Sequence, residues 1–478
     1  MIRFAVTQRL IEKGTFDVPP DIGMRWGVRG IDGRYYTNHG FGHSLLSVPF
    51  YLIGKRMGSP KFMISLLGPL ATAISCSLLF LLSVRIGYSL NTAVFLSLLA
   101  GLCTQMWPES KSPFDHSLET LFSLLAVYLT YVFLHDKNRI DIFLAGISLG
   151  FAVLTRITTV LWLFPLLLMG GMVSFHRDSG RGGLIRLARS LALFLAGLAP
   201  LLLFILWNNR LRFGSFFEAG YSAWARDRAI NNFSSPVYVG LIGQLFSPGK
   251  GAFVYCPLLF LCFVAARAYY HRNKPIAVLT FSATIIYIGL FAKYVAWHGD
   301  IAWGPRYLTF LMPLWILAMG SAWEEAAYRR KIFWPVITSI LIGFSFLVQL
   351  TAVMVDMNLH YFRLLRLGVI QNVDTYNYPA AIYFNPRYSP LVDRFAEVGQ
   401  MVGMIKQNRW LAGNSSIKLD GLTPTLDFWW WRNRSAGMPL VLVLLLITPF
   451  VFEIALCTYR IRSLLRREIA PGPTTYQN

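Results

Sequence analysis

Eleven apolar stretches divide the chain, most of them the ~17–25 residues that a helix needs to cross about 30 Å of hydrocarbon while satisfying its own backbone hydrogen bonds. They lie near 62–84, 88–107, 113–134, 140–155, 157–173, 187–207, 252–268, 276–295, 305–322, 332–355 and 438–459. Arg156 separates two full-length apolar halves and reads as a turn between two spans, not as the middle of one helix. Of the 478 residues, 55% are hydrophobic and 14% charged, a balance one soluble core would struggle to bury. The sequence therefore predicts an all-α, polytopic, multi-pass integral membrane protein of about 11 transmembrane helices.

The formal charge of +21 would suit a nucleic-acid binder if it were concentrated on one face. Instead the basic residues fall in connections after alternate spans: "HDKNR", "HRDSGRGGLIRLAR", "ARAYYHRNK", "YRRK" and the tail "YRIRSLLRR". The positive-inside rule places these in the cytoplasm and excludes nucleic acid as the partner. The chain then divides into an outward first loop (1–61), a membrane core (62–355), an extracytoplasmic segment (356–437), a last span (438–459) and a cytoplasmic tail (460–478). All five cysteines, Cys76, Cys103, Cys256, Cys262 and Cys457, sit in or beside apolar stretches and read as small hydrophobes. The opening "MIRFAVTQRLIEKGTFDV" predicts an amphipathic surface helix, with Phe4, Leu10 and Ile11 against Arg3, Arg9, Glu12 and Lys13. On this topology the charged start lies outside, which implies a further transmembrane helix ahead of Met1.

Charge inside apolar sequence marks the candidate site. In "SPFDHSLETLFSLL", Ser112 suits an N-cap, Pro113 the first helical position, and Asp115 the closing member of a capping box. Glu119 lies one turn deeper on the same face, where a carboxylate is expensive without a partner or a wet cavity, and His116 stands between them. Arg156 and Arg306, the latter in "WHGDIAWGPRYLTFLMP", are membrane-edge arginines. Each alone suits snorkelling to headgroups; beside outward carboxylates they suit a lipid phosphate, which a planar guanidinium can grip with two N–H donors. Lys250, between glycines in "SPGKGAFVYCP", could meet the same anion, although the stretch is not a nucleotide-binding phosphate loop. Asp32, His39, His43 and His116 match no closed zinc spacing, while a divalent cation held by Asp115 and a second carboxylate stays open. The cluster "DFWWWRNR" at 427–434 reads as an interfacial belt that could also stack on sugar rings.

Seven stretches in order, "RFAVTQRLIEKGTF", "DGRYYTNHGFGHSLLSVPFYLIG", "DHSLETLFSLLAVY", "GISLGFAVLTR", "NNRLRFGSFFEAGY", "SPGKGAFVYCP" and "WGPRYLTFLMP", resemble the GT-C-type, polyprenyl-phosphate-dependent membrane glycosyltransferases, the group that contains protein O-mannosyltransferases and aminoarabinose transferases. The resemblance implies a twelve-helix complete pattern in which this chain starts after the first helix and after the acidic residue that serves as catalytic base. It matches Asp115 to the second acidic position, which binds a metal or orients the acceptor, and assigns Arg306, Arg156 and Lys250 to the donor phosphate. Asp17, Asp21 and Asp32 follow the amphipathic helix and are poor replacements for the absent acid.

The expected activity is transfer of a sugar, hexosyl or pentosyl, from a polyprenyl-phosphate donor to a protein, glycan or lipid acceptor on the outer face of a bacterial or archaeal plasma membrane, with inversion. The alternatives are a transporter or flippase of lipid-linked sugars and a non-catalytic, transferase-derived membrane subunit. No internal repeat or midplane charged pair supports the transporter.

Overall fold

The computed structural model describes residues 2–177, 180–227, 229–300, 302–325, 333–370, 380–406 and 441. The stretch 427–434, almost all of the last apolar stretch 438–459, the tail 460–478 and Cys457 lie outside those residues. The other ten apolar stretches fall on helices, and six helices among the described residues are long and apolar enough to cross a membrane. The chain breaks at Arg156: the helix Arg139–Thr155 ends there in extended backbone, and a 3-10 turn, Ile157–Trp162, leads into the helix Leu163–Arg177. Two other stretches are less regular than their apolarity suggests. Pro257 splits 252–268 into a short helix, a 3-10 turn and the helix Phe260–Arg272, and the 305–322 stretch opens as a 3-10 turn, Arg306–Leu311, before the helix Met312–Glu324.

Polar residues between spans set the helix ends. Asn138 and Asn273 each accept a hydrogen bond from the backbone N–H of the second or third following residue, Ile140 and Ile276, at 3.2 Å. Such caps contribute about 1 kcal/mol each. Gly214, in left-handed backbone at φ 76°, ends the helix Arg181–Phe213. That helix has 33 residues, which at 1.5 Å per residue is roughly 50 Å, longer than the bilayer core. Its far end reaches the first loop, where Arg212 donates to the Thr37 carbonyl at 2.9 Å and lies 4.4 Å from the centre of the Phe41 ring.

The helix Arg139–Thr155 is the hub, packed along both His116–Asp136 and Arg181–Phe213. Its crossing with Arg181–Phe213 is made by glycine. A Cβ on Gly146 would lie 1.9 Å from the Phe194 carbonyl oxygen, and one on Gly197 would lie 2.1 Å from that of Phe143. The two backbones therefore touch, as small residues allow in membrane bundles, where apolar burial gives little drive to associate.

The N-terminal region is a small cap of α and β. The helix Ile2–Lys13 packs on a three-stranded antiparallel sheet, Asp17–Val18, Tyr35–Tyr36 and Val28–Arg29 in spatial order, and on the helices Gly42–Leu46 and Val48–Arg56. The face it buries is Ile2, Ala5, Val6 and Thr7, not the Phe4, Leu10 and Ile11 face expected for a surface helix. Thr7 is turned inward because its hydroxyl bonds the Arg3 and Ser44 carbonyls, and Arg3 reaches the Pro113 carbonyl and Asp115.

Replacing Gly197 with Leu should cost at least ~1–3 kcal/mol through overpacking at the backbone crossing and lower the thermal midpoint of the purified protein. Gly343→Ala, where a Cβ meets nothing within 4 Å, should be neutral or stabilising by ~0.5–1 kcal/mol. Equal midpoints for the two variants would contradict the glycine crossing.

Candidate anion site at one end of the bundle

Five elements converge where the apolar run beginning at His116 starts: the N-terminal helix, the short helix Met106–Lys111, the first turn of His116–Asp136, the break at Arg156, and the turn Arg306–Leu311. They bring together five of the six residues singled out in the sequence. Asp115 occupies the N-cap position of its helix but makes no capping hydrogen bond. Its carboxylate instead meets Arg3 at 3.0 Å and Arg156 at 3.9 Å. The expected capping box is thus absent, because a guanidinium is a stronger partner for a buried carboxylate than a neutral amide N–H. Ser112 does not start the helix either; its hydroxyl donates to the Glu109 carboxylate at 2.8 Å.

Beneath Asp115, Glu119 and His116 are fully buried and bonded to each other, Nδ1 to Oε2, at 2.9 Å. On its other side, His116 Nε2 faces Arg156 Nη1 at 3.4 Å. A guanidinium can only donate, so Nε2 is the acceptor, and Nδ1 carries the hydrogen given to Glu119. The second oxygen of Glu119 has no hydrogen-bond partner; its nearest cation is Arg156 Nε at 3.8 Å.

The two arginines share one ring. Arg156 lies 4.6 Å and Arg306 lies 5.0 Å from the centre of Tyr307. Arg306 also stacks on Phe114 at 4.0 Å, and its Nη2 approaches the Tyr307 hydroxyl at 3.3 Å and Asp300 at 3.5 Å. Its Nε and Nη1, and Nε of Arg156, are buried without a hydrogen-bond partner. Buried N–H donors left unpaired cost ~1–3 kcal/mol each, and more when charged. An oxyanion held against them would remove that cost.

Lys250 stands apart from this group. Fully buried, its Nζ bonds the backbone carbonyls of Asp300 and Ala302 at 2.7 and 2.6 Å. Burial, with Arg306 nearby, lowers its pKa to about 7, and either protonation state offers the two N–H bonds used here. Burial and the charge of Arg3 likewise push His39 down to about 3, leaving it neutral at pH 7. His43 bonds Ser47, the residue that follows its own helix, at 3.3 Å, and Asp32 pairs with Arg34 and Tyr36.

Four participants carry little signal in the sequence. Arg3, Glu109, Asp300 and Tyr307 resemble ordinary loop, interfacial or core residues, and only Asp300, six positions before Arg306 in a Gly-rich turn, offers a local hint. The surroundings of Asp115 do not suit a metal. Two guanidiniums flank its carboxylate, and among the described residues no three His, Cys, Asp or Glu side chains group in a way that could hold an ion.

No protein-family model matches the chain, and no curated protein matches it. Solved structures do. ArnT from Cupriavidus metallidurans bound to undecaprenyl phosphate is similar with a TM-score of 0.50 at 15% identity, over 87% of this chain and 76% of that one. ArnT from the same organism in the apo state has a TM-score of 0.49 at 15% identity, over 87% and 75%. The chain is an integral membrane protein whose helical architecture is similar to that of ArnT.

Arg3 and Asp115 are 11% and 5% exposed at the side chain, whereas Arg34 and Asp32 are 58% and 39% exposed. Removing one partner of a buried pair costs ~3–5 kcal/mol, and of an exposed pair ~0–1 kcal/mol. Arg3→Ala should therefore lower the thermal midpoint clearly while Arg34→Ala leaves it nearly unchanged; a reversed order would show that Asp115 does not depend on Arg3.

Proposed function

We propose that this protein is a membrane glycosyltransferase that moves a sugar, hexosyl or pentosyl, from a polyprenyl phosphate to an acceptor hydroxyl on the outer face of a bacterial or archaeal plasma membrane. The observation that carries the reading is the pair of buried guanidiniums around Tyr307, with N–H donors unpaired, at the end of an apolar bundle and beside carboxylates. An isoprenoid phosphate cannot leave the bilayer, so its enzyme needs apolar helices for the chain and fixed cations for the phosphate at the membrane edge. The likeness to a fold that holds undecaprenyl phosphate supports the same donor class.

In the reaction the acceptor oxygen attacks the anomeric carbon from the face opposite the phosphate, and the carbon–oxygen bond to the phosphate breaks. The electron pair of that bond leaves with the phosphate, whose growing charge falls to Arg306 and Arg156. The acceptor proton passes to a carboxylate, a role assigned to Asp115. Glu119 orients His116, and together with Asp115 it holds Arg156 in place, so the phosphate grip and the acceptor side share one network. Acceptor selection, among protein, glycan and lipid, is assigned to the outward segment 356–437.

Purified protein with undecaprenyl phosphate tests the assignments. Loss of charge-assisted bonds worth ~1.5–3 kcal/mol weakens binding roughly 10- to 150-fold, the drop expected for Arg306→Ala and Arg156→Ala. Asp115→Asn removes a negative charge beside the phosphate and should leave binding as tight or tighter, while transfer from a polyprenyl-phosphate sugar falls ~10²–10⁴-fold. Wild-type binding by both arginine variants would remove the donor assignment. Tight binding with no donor consumption by the wild-type protein would instead identify a transporter or a non-catalytic subunit.

A further inference from the structure

The turn "WHGDIAWGPR", 297–306, is a shaped object. Gly299, Asp300 and Gly304 all take positive φ, at 69°, 51° and 53°. For the two glycines this is free; for Asp300 it is a backbone region that L residues enter at a cost. Something must hold Asp300 there. Its carbonyl oxygen receives two hydrogen bonds, from Lys250 Nζ at 2.7 Å and from the Tyr361 hydroxyl at 2.9 Å, and Lys250 also bonds the Ala302 carbonyl at 2.6 Å. The Asp300 N–H donates to His298 Nδ1 at 3.1 Å.

This conformation bears directly on Arg306. It sets the Asp300 carboxylate 3.5 Å from Arg306 Nη2. It also lays Gly299 against the arginine stem, so closely that a Cβ there would lie 2.9 Å from Arg306 Cγ. Tyr361 comes from elsewhere: the helix Asn358–Arg366, anchored to the helix Pro390–Lys406 through His360 and Asp393 at 2.9 Å. The loop that carries Lys250 is tied to the same region, since the Gly249 N–H donates to the Tyr383 carbonyl and Ser389 donates to the Pro248 carbonyl.

We infer that Lys250 and Tyr361 are positioning residues for Arg306, acting through the carbonyl oxygen of Asp300, so that the segment 358–406 sets the geometry of the anion site. The inference rests on the reading of Arg306 as a phosphate ligand and replaces a direct contact between Lys250 and the phosphate. Whatever moves the helix Asn358–Arg366 then moves the donor grip.

The test is a double-mutant cycle on undecaprenyl phosphate binding by the purified full chain, with Tyr361→Phe, Lys250→Met and Arg306→Ala, singly and paired. Tyr361→Phe and Lys250→Met should each weaken binding about 3- to 10-fold, the worth of a hydrogen bond that holds a ligand in place. In the Arg306→Ala background both effects should vanish. A residue that touches the phosphate itself would instead weaken binding by the same factor in either background, and that result for Lys250 overturns the inference. Wild-type affinity in Tyr361→Phe overturns it as well, provided Arg306→Ala weakens binding. If Arg306→Ala binds like the wild type, the functional reading falls first. Tyr361→Phe removes a single oxygen and carries the cycle alone should Lys250→Met fail to accumulate.

Discussion

The guanidinium of Arg156 is the interaction on which the site depends. It sits where the hub helix ends, in reach of Asp115, Glu119 and His116 on one neighbour and stacked on Tyr307 of another. A charge taken out of water costs several kcal/mol unless it is paired and hydrogen-bonded. Arg156 is compensated by two buried carboxylates, Asp115 at 3.9 Å and Glu119 at 3.8 Å. The tautomer of His116 follows from this cation, and the loss of the capping box at Asp115 follows from it together with Arg3.

The wider cluster repeats that logic. Arg3, Arg156 and Arg306 stand among Asp115, Glu119, Glu109 and Asp300 at the end of an apolar bundle. Their balance is unequal across the site. Asp115 lies between two guanidiniums, whereas Arg306 has a single long contact to Asp300 and two N–H groups unused.

The membrane architecture is legible in the sequence because span length and apolarity are local properties, readable without knowing what packs where. Arg156, Arg306, Asp115 and Glu119 are legible for a related reason: a charge in apolar sequence is costly enough to need an explanation. Pairing is not legible. Arg3 and Asp115 are 112 positions apart, and nothing near either one names the other. Lys250 shows the limit most clearly. A lysine between glycines at a membrane edge suggests an anion, yet its partners are two backbone carbonyls 50 and 52 positions away. The N-terminal helix lies where its sequence predicts but presents a different face, because Thr7 gains hydrogen bonds inward that hydrophobicity alone does not foretell.

The most direct test is an experimental structure of the full chain in lipid with undecaprenyl phosphate. The account requires the phosphate to lie beside Tyr307, bonded to Arg306 Nε and Nη1 and to Arg156 Nε, with Lys250 still on the carbonyls of Asp300 and Ala302. A phosphate seated elsewhere, for example in the basic cleft lined by Arg9, Lys13 and Arg34, with both arginines unengaged, would contradict it.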